Sequence, residues 1–262
     1  MSGANWDDLK ARLASGVAMV VVGLLAVWLG GLWFHLLIAL ATGLMVWELV
    51  RMLNPAQANV AMGLGLFSGL ASLVAPHLAP AIALPLLFLP AMLGLGRMGR
   101  GGVVYAVYAA LIMLAGYGMM GLRDDFGLLW MLWLVVVVIV TDVAGYFAGR
   151  MIGGPKFWPK VSPKKTWSGT AAGWIAAAIV GLIFAKWTLA GAGLAGVSIA
   201  VSMASQLGDI AESAIKRRCG VKDSSNLIPG HGGLLDRFDG MLGASVFLVI
   251  AGQIVGFPPG SQ

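Results

Sequence analysis

Residues 127–150 read GLLWMLWLVVVVIVTDVAGYFAGR. From Leu128 to Val140 there is no charge, no proline and no glycine. A helix over 127–148 rises about 33 Å at 1.5 Å per residue, close to the thickness of a bilayer's hydrocarbon core. Such a segment satisfies its own backbone and offers apolar side chains to lipid. Asp142 breaks the run near one end, and Arg150 closes it.

The rest of the chain repeats this pattern. Of its 262 residues, 59% are hydrophobic and 11% charged. Twenty-eight charged side chains (17 Lys and Arg, 11 Asp and Glu) are too few to solvate a soluble domain of this length, which places the chain among polytopic all-α membrane proteins. Apolar runs near 14–30, 31–50, 60–76, 79–95, 103–121, 127–148, 169–187, 190–210 and 241–257 predict about nine spans. The third and fourth are short and bounded by Pro76, Pro80, Pro85 and Pro90. The first run follows Trp6, Asp7, Asp8, Lys10 and Arg12 without a small-residue cleavage site at its end, so it reads as a retained span. The single cysteine, Cys219, excludes an internal disulfide and is too solitary for a zinc site.

Charge gives an independent count. With the N-terminus in the cytoplasm, fifteen of the 17 Lys and Arg residues fall in inner loops, and only Arg123 and Lys186 lie outside. One miscounted helix in the middle would switch every later loop to the other side. The chain divides into N-terminal helices over 1–139, about five spans and the start of a sixth, and a C-terminal region over 140–262. Two cytoplasmic loops of the latter, 149–168 and 209–240, carry the unusual chemistry. Glycine-rich stretches such as GLGLFSG (63–69) and GAGLAG (191–196) read as close helix packing.

In the eighth run Ser198, Ser202, Ser205, Gln206 and Asp209 recur at helical offsets, a polar stripe on an apolar helix that continues through Glu212, Ser213 and Lys216. An aspartate at the hydrocarbon edge costs up to about 3 kcal/mol if unpaired, so Asp142 and Asp209 each need a partner or a cation. Residues 222–240, KDSSNLIPGHGGLLDRFDG, place Pro229, Gly230, Gly232 and Gly233 where no helix can run and where backbone N–H groups can line an anion. Asp236 and Asp239 then share one face of the next helix. Hard carboxylates beside cations suit Mg²⁺ and phosphates. The loop GRMIGGPKFWPKVSPKKTWSG (149–169) adds five cations, with Lys164 and Lys165 beside a helix N-terminus. His231 reads equally as a phosphate donor and as a structural hydrogen-bonder; His35 and His77 read as satisfied structural residues.

These residues resemble a family. Ser213-x-Ile215-Lys216-Arg217, Lys222-Asp223-x-Ser225, Pro229-x-His231-Gly232-Gly233 and Asp236-Arg237-Phe238-Asp239 look like the signature of the CDP-diacylglycerol synthase, or phosphatidate cytidylyltransferase, family. Upstream, Ser205-Gln206-x-Gly208-Asp209-x-x-Glu212-Ser213, Ser162-Pro163-Lys164-Lys165-Thr166-Trp167-x-Gly169 and the segment from Asp142 to Arg150 are similar too. The likeness is strong over about 140–257, whereas 1–139 agree only as a series of spans. Ser225 stands where many members carry glycine, and Gly240 where serine is frequent.

The resemblance implies a Mg²⁺-dependent reaction of CTP with phosphatidate to give CDP-diacylglycerol and pyrophosphate. It implies Asp209 and Asp236 as metal ligands, with K⁺ as a second cation, a homodimer, no nucleic-acid partner, and a bacterial inner membrane with the site facing the cytoplasm. Around that centre Asp239, Glu212 and Asp142 are further candidates for the ion or its waters. Lys222 and His231 are candidate catalytic groups beside Asp209, Asp236 and Asp239. Lys164, Lys165, Ser213, Lys216, Arg217, Gly232, Gly233 and Arg237 are candidates for binding substrate phosphates. The rivals are another Mg²⁺-dependent lipid phosphotransferase, a CTP-dependent lipid kinase that would release CDP, and an ion-coupled transporter with charges near the bilayer midplane.

Overall fold

The computed structural model describes residues 3–188 and 190–255, with side chains from Arg12 to Ile254. The chain is an integral membrane protein of nine α-helices among the described residues. Eight are long and apolar enough to span a bilayer. Two compact units share the chain: residues 1–124 with 218–238, and residues 125–217 with 239–262.

The first unit begins with α1 (Gly3–Leu29), α2 (Gly31–Leu53), α3 (Ala58–Val74), α4 (Pro80–Leu95) and most of α5 (Gly102–Phe126). The 16 residues of α4 reach about 24 Å, a few ångströms less than the hydrocarbon core, a mismatch that a crossing helix accommodates by thinning the bilayer locally. Pro80 starts α4 at its first turn, where the missing N–H costs nothing, while Pro85 and Pro90 lie inside it. Helices α2 and α3 approach through the glycines expected for close packing: a Cβ on Gly43 would stand 2.8 Å from Gly65 O. Arg123 bonds the last carbonyls of α1, with Nε donating to Val27 O at 2.7 Å and Nη2 to Trp28 O at 3.1 Å. This cation therefore caps a helix C-terminus. His35 Nε2 lies 2.6 Å from Asp124 Oδ2 and its ring centroid 5.8 Å from that of His77, as expected of a satisfied histidine.

The second unit contains α6 (Leu128–Met151), a hairpin of β1 (Lys156–Trp158) and β2 (Ser162–Thr166), α7 (Trp167–Phe184), most of α8 (Leu194–Cys219) and α9 (Leu235–Val255) from Asp239 on. The expected ninth span, 241–257, ends outside the described residues. The helix starts at Leu235 because the polar turn before the apolar run is already helical, with Asp236 favoured at its N-terminal end.

The polar stripe of α8 faces protein. Trp133 Nε1 donates to Ser198 Oγ at 3.0 Å, the hydroxyls of Thr141 and Ser202 lie 2.8 Å apart, and Trp174 Nε1 donates to Gln206 Oε1 at 3.0 Å. Helices α6 and α7 approach closely at Gly145 and Gly169, where a Cβ on Gly169 would come within 2.5 Å of Gly145 O.

The hairpin was not foreseen. Lys156 pairs with Thr166 and Trp158 with Ser162, with an irregularity between. Phe157 packs on Trp167 with ring centroids 4.6 Å apart. Two prolines and four lysines mask the alternation by which a strand is normally read, and the hairpin depends on this aromatic contact and on α7's cap.

Candidate active site

The second unit holds a cavity of about 500 Å³ where α6, the hairpin, α7 and α8 meet. Thr166 sets the geometry of its rim. Its side chain caps α7 by accepting from Gly169 N at 3.2 Å, and Trp167 N donates to Pro155 O at 3.0 Å. The strand that ends in this cap carries Lys164 and Lys165 to the cavity wall beside the helix N-terminus. The expected placement of these lysines holds, on a strand. Helix α6 adds Asp142 and Arg150, and α8 adds Asp209. Arg150 Nη1 donates to Tyr146 Oη at 2.9 Å, which holds the guanidinium against its own helix.

Asp209 is the hub of the second unit's charges. Lys165 Nζ lies 2.5 Å from its Oδ2, and Ser213 Oγ donates to its Oδ1 at 3.2 Å. Asp142 and Asp239 both lie within electrostatic reach of Asp209, and Asp239 also feels Asp142 and Lys216. Asp239 Oδ1 accepts from Gly240 N at 2.6 Å. Glu212, wholly enclosed, is paired with Lys216 one turn along α8. Arg217 is exposed on the last turn of α8.

The signature loop belongs to the first unit, and two carboxylates hold it. Asp236 Oδ2 accepts from Ser224 N, Ser224 Oγ and Gly233 N, each at 2.8 Å. Glu48, on α2, accepts from Ser225 Oγ at 2.6 Å and Leu234 N at 2.9 Å through Oε1, and from Leu235 N at 2.7 Å through Oε2. Gly230 and Gly232 have φ of 73° and 84°, a left-handed backbone that side chains resist. Gly233 is needed for another reason: a Cβ there would stand 2.5 Å from Glu48 Oε1 and closer still to Ser224 Oγ.

His231 Nδ1 lies 2.9 Å from Ser15 Oγ of α1, and its carbonyl accepts from Arg237 Nε at 2.9 Å. This contact gives His231 a structural partner. Lys222 and Asp223 are exposed.

Ser15 and Glu48 were missed because 1–139 read only as lipid-facing spans. For Glu48 a signal existed, since an ionisable residue inside an apolar run is itself a functional hint. Gly240 packs so that a Cβ would stand 2.7 Å from Ser205 Oγ, which explains locally why this chain has no larger residue there.

Mg²⁺ accepts one or two carboxylates and completes its shell with phosphate oxygens and water. Among the described residues no group of three or more His, Cys, Asp and Glu could hold a metal ion. The donor set present, a few hard carboxylate oxygens beside phosphate-type cations, still fits an ion that arrives with its nucleotide.

Fold and site together define a polytopic membrane protein with a cation-walled, carboxylate-centred cavity suited to phosphorylated ligands. The sequence pattern of the cytidylyltransferase family matches residues 10–255, and the chain belongs to that family. It is 35% identical over 264 residues to a phosphatidate cytidylyltransferase of Brucella suis biovar 1 (strain 1330), covering 96% of each chain. A protein of the same name from Bacillus subtilis (strain 168) is 32% identical, covering 92% of this chain and 96% of that one. A third, from Haemophilus influenzae (strain ATCC 51907 / DSM 11121 / KW20 / Rd), is 44% identical over 128 residues, 46% of this chain and 44% of the other.

Proposed function

We propose that this protein is a phosphatidate cytidylyltransferase, an integral membrane enzyme that makes CDP-diacylglycerol and pyrophosphate from CTP and phosphatidate. The observation that carries this reading is the cavity at Asp209, where Lys164, Lys165 and Arg150 surround a carboxylate centre. A phosphate oxygen of phosphatidate forms a new bond to the α-phosphorus of CTP, the bond from that phosphorus to the β-phosphate oxygen breaks, and pyrophosphate leaves. A phosphate monoester, with a second pKa near 6, is already largely deprotonated at neutral pH, so no strong base is required. The obstacle is repulsion between two anions, and positioned cations remove it.

In this reading Lys164, Lys165 and Arg150 neutralise the triphosphate at the hairpin. Ser213 orients Asp209, and Glu212 holds Lys216 in place. The resemblance adds Arg217, Lys222, Arg237, Gly232 and Gly233 as further groups that bind or act on the phosphates. Mg²⁺ supplies charge neutralisation at the phosphate oxygens when bound. Asp209 is its proposed ligand from the geometry of the second unit, with Asp142 and Asp239 nearby; Asp236 is added by the resemblance, and K⁺ as a second cation likewise. The N-terminus and both polar loops are placed in the cytoplasm, at the inner membrane, because the Lys and Arg residues gather on that side. A homodimer is proposed on the resemblance.

The test is a reaction of purified protein in detergent with phosphatidate, α-³²P-labelled CTP and Mg²⁺. A lipid-linked cytidine product with equimolar pyrophosphate is expected. Release of CDP with a doubly phosphorylated lipid would indicate a kinase, and neither product would refute the reading.

A further inference from the structure

Glu48 stands apart from the family signature, 177 residues before Ser225. It is fully enclosed within α2. A carboxylate left bare inside a membrane helix is strongly unfavourable, and charge-assisted hydrogen bonds are what make such a site tolerable. Here three good donors converge on it, from Ser225 at one end of the loop and from Leu234 and Leu235 at the other. Ser225 Oγ in turn accepts from Leu227 N at 3.0 Å, so the hydroxyl passes Glu48's hold on to the loop's next turn.

The arrangement divides three successive amides between two acids. Gly233 N goes to Asp236, and Leu234 N and Leu235 N go to Glu48. The last two lie at the start of α9, where N–H groups have no partner within the helix. Glu48 therefore acts as an N-terminal anion supplied by another helix, and it holds the backbone that opens α9. Asp236 and Arg237 follow at once, in the first turn. Ser224 couples the two acids: it donates to Asp236 through its N–H and hydroxyl at 2.8 Å, and its Oγ lies 3.4 Å from Glu48 Oε2.

We propose that Glu48 is a positioning residue for the cytidylyl transfer: through Ser225, Leu234 and Leu235 it holds the signature loop and the first turn of α9 in the reactive arrangement without touching substrate. The proposal rests on the function given above. A purely structural Glu48 would alter only the amount and heat resistance of folded protein. A positioning Glu48 alters turnover of protein that is folded.

The experiment compares wild type with Glu48→Gln, Ser225→Ala and the double variant, each purified in detergent. Glu48→Gln keeps the volume but turns one oxygen into an NH₂ facing a backbone or hydroxyl donor. In folded Glu48→Gln, kcat should fall at least tenfold while the KM for phosphatidate changes less than threefold. Amide exchange over 224–236 should quicken while α2 stays protected. Ser225→Ala should lose less, and the double variant should be no worse than Glu48→Gln alone, as expected for groups acting through one contact. Folded Glu48→Gln with kcat within threefold of wild type would overturn the proposal. So would Glu48→Gln and Ser225→Ala losses that multiply. If Glu48→Gln does not fold, Ser225→Ala decides: full turnover in that variant overturns the proposal, and a reduced kcat at unchanged KM supports it. A wild type that forms no lipid-linked cytidine would refute the functional reading instead, and the exchange measurement would still report whether Glu48 holds the loop.

Discussion

Lys165→Met separates two roles for the ion pair at the cavity. The substitution keeps most of the side-chain stem and removes the ammonium that lies 2.5 Å from Asp209 Oδ2. Lys165 and Asp209 keep 23% and 29% of their side-chain surface exposed, so solvent screens the pair. Ser213 still donates to Asp209 after the change. The stability loss is therefore about 1 kcal/mol or less, a melting shift of about 2–4 °C for a protein of this size. The effect on rate is larger if Lys165 serves the phosphates, because losing one preorganised group that stabilises developing charge costs about 10²–10³-fold, or 2.7–4 kcal/mol. Initial rates of lipid-linked cytidine formation, normalised to folded protein, should be read beside a thermal melt of the same sample. A rate within about threefold of wild type would show that Lys165 is only the counter-ion of Asp209 and would refute its assignment to substrate. A melting point lowered by more than about 10 °C would refute the claim that the pair is weakly stabilising.

Three other outcomes follow from the geometry. Ser205→Ala removes a buried hydroxyl that has no hydrogen-bond partner among the described residues, so stability should stay unchanged or rise by up to about 1 kcal/mol; a clear drop in the melting point would reveal a partner. Gly233→Ala places a methyl 2.5 Å from Glu48 Oε1 and should destabilise the protein by about 1–3 kcal/mol, whereas Gly63→Ala, where a Cβ meets nothing within 4 Å, should change the melt by less than about 0.5 kcal/mol. Cys219, the single cysteine, ends α8 on the side assigned to the cytoplasm. A membrane-impermeant maleimide should label it in inverted vesicles and not in intact spheroplasts, and the reverse pattern would invert the topology.

Hydropathy and charge made the spans legible because a lipid environment demands long uncharged helices. The short α4 was equally readable from its prolines. The polar stripe of α8 was readable as a face, and Trp133, Thr141 and Trp174 are its partners. Which charges meet was not readable. The sequence puts Lys165 among phosphate binders and Asp209 among metal ligands, and the hairpin brings the two together. That hairpin depends on Phe157 stacking with Trp167 and on the Thr166 cap, contacts with no periodic trace in the sequence. Glu48 stood in plain view within MVWELV, but its donors lie far along the chain, and no local pattern couples residue 48 to residues 225, 234 and 235.

That separation also orders events during synthesis. The ribosome makes α2 before it reaches Ser225, and at about 5–20 residues per second the 177 residues added from Glu48 to Ser225 take roughly 9–35 s. For that interval the acceptor exists in a nascent chain whose donors have not yet been translated. The signature loop therefore closes onto a template laid down early in biogenesis, and a C-terminal fragment made alone would lack the surface that shapes it.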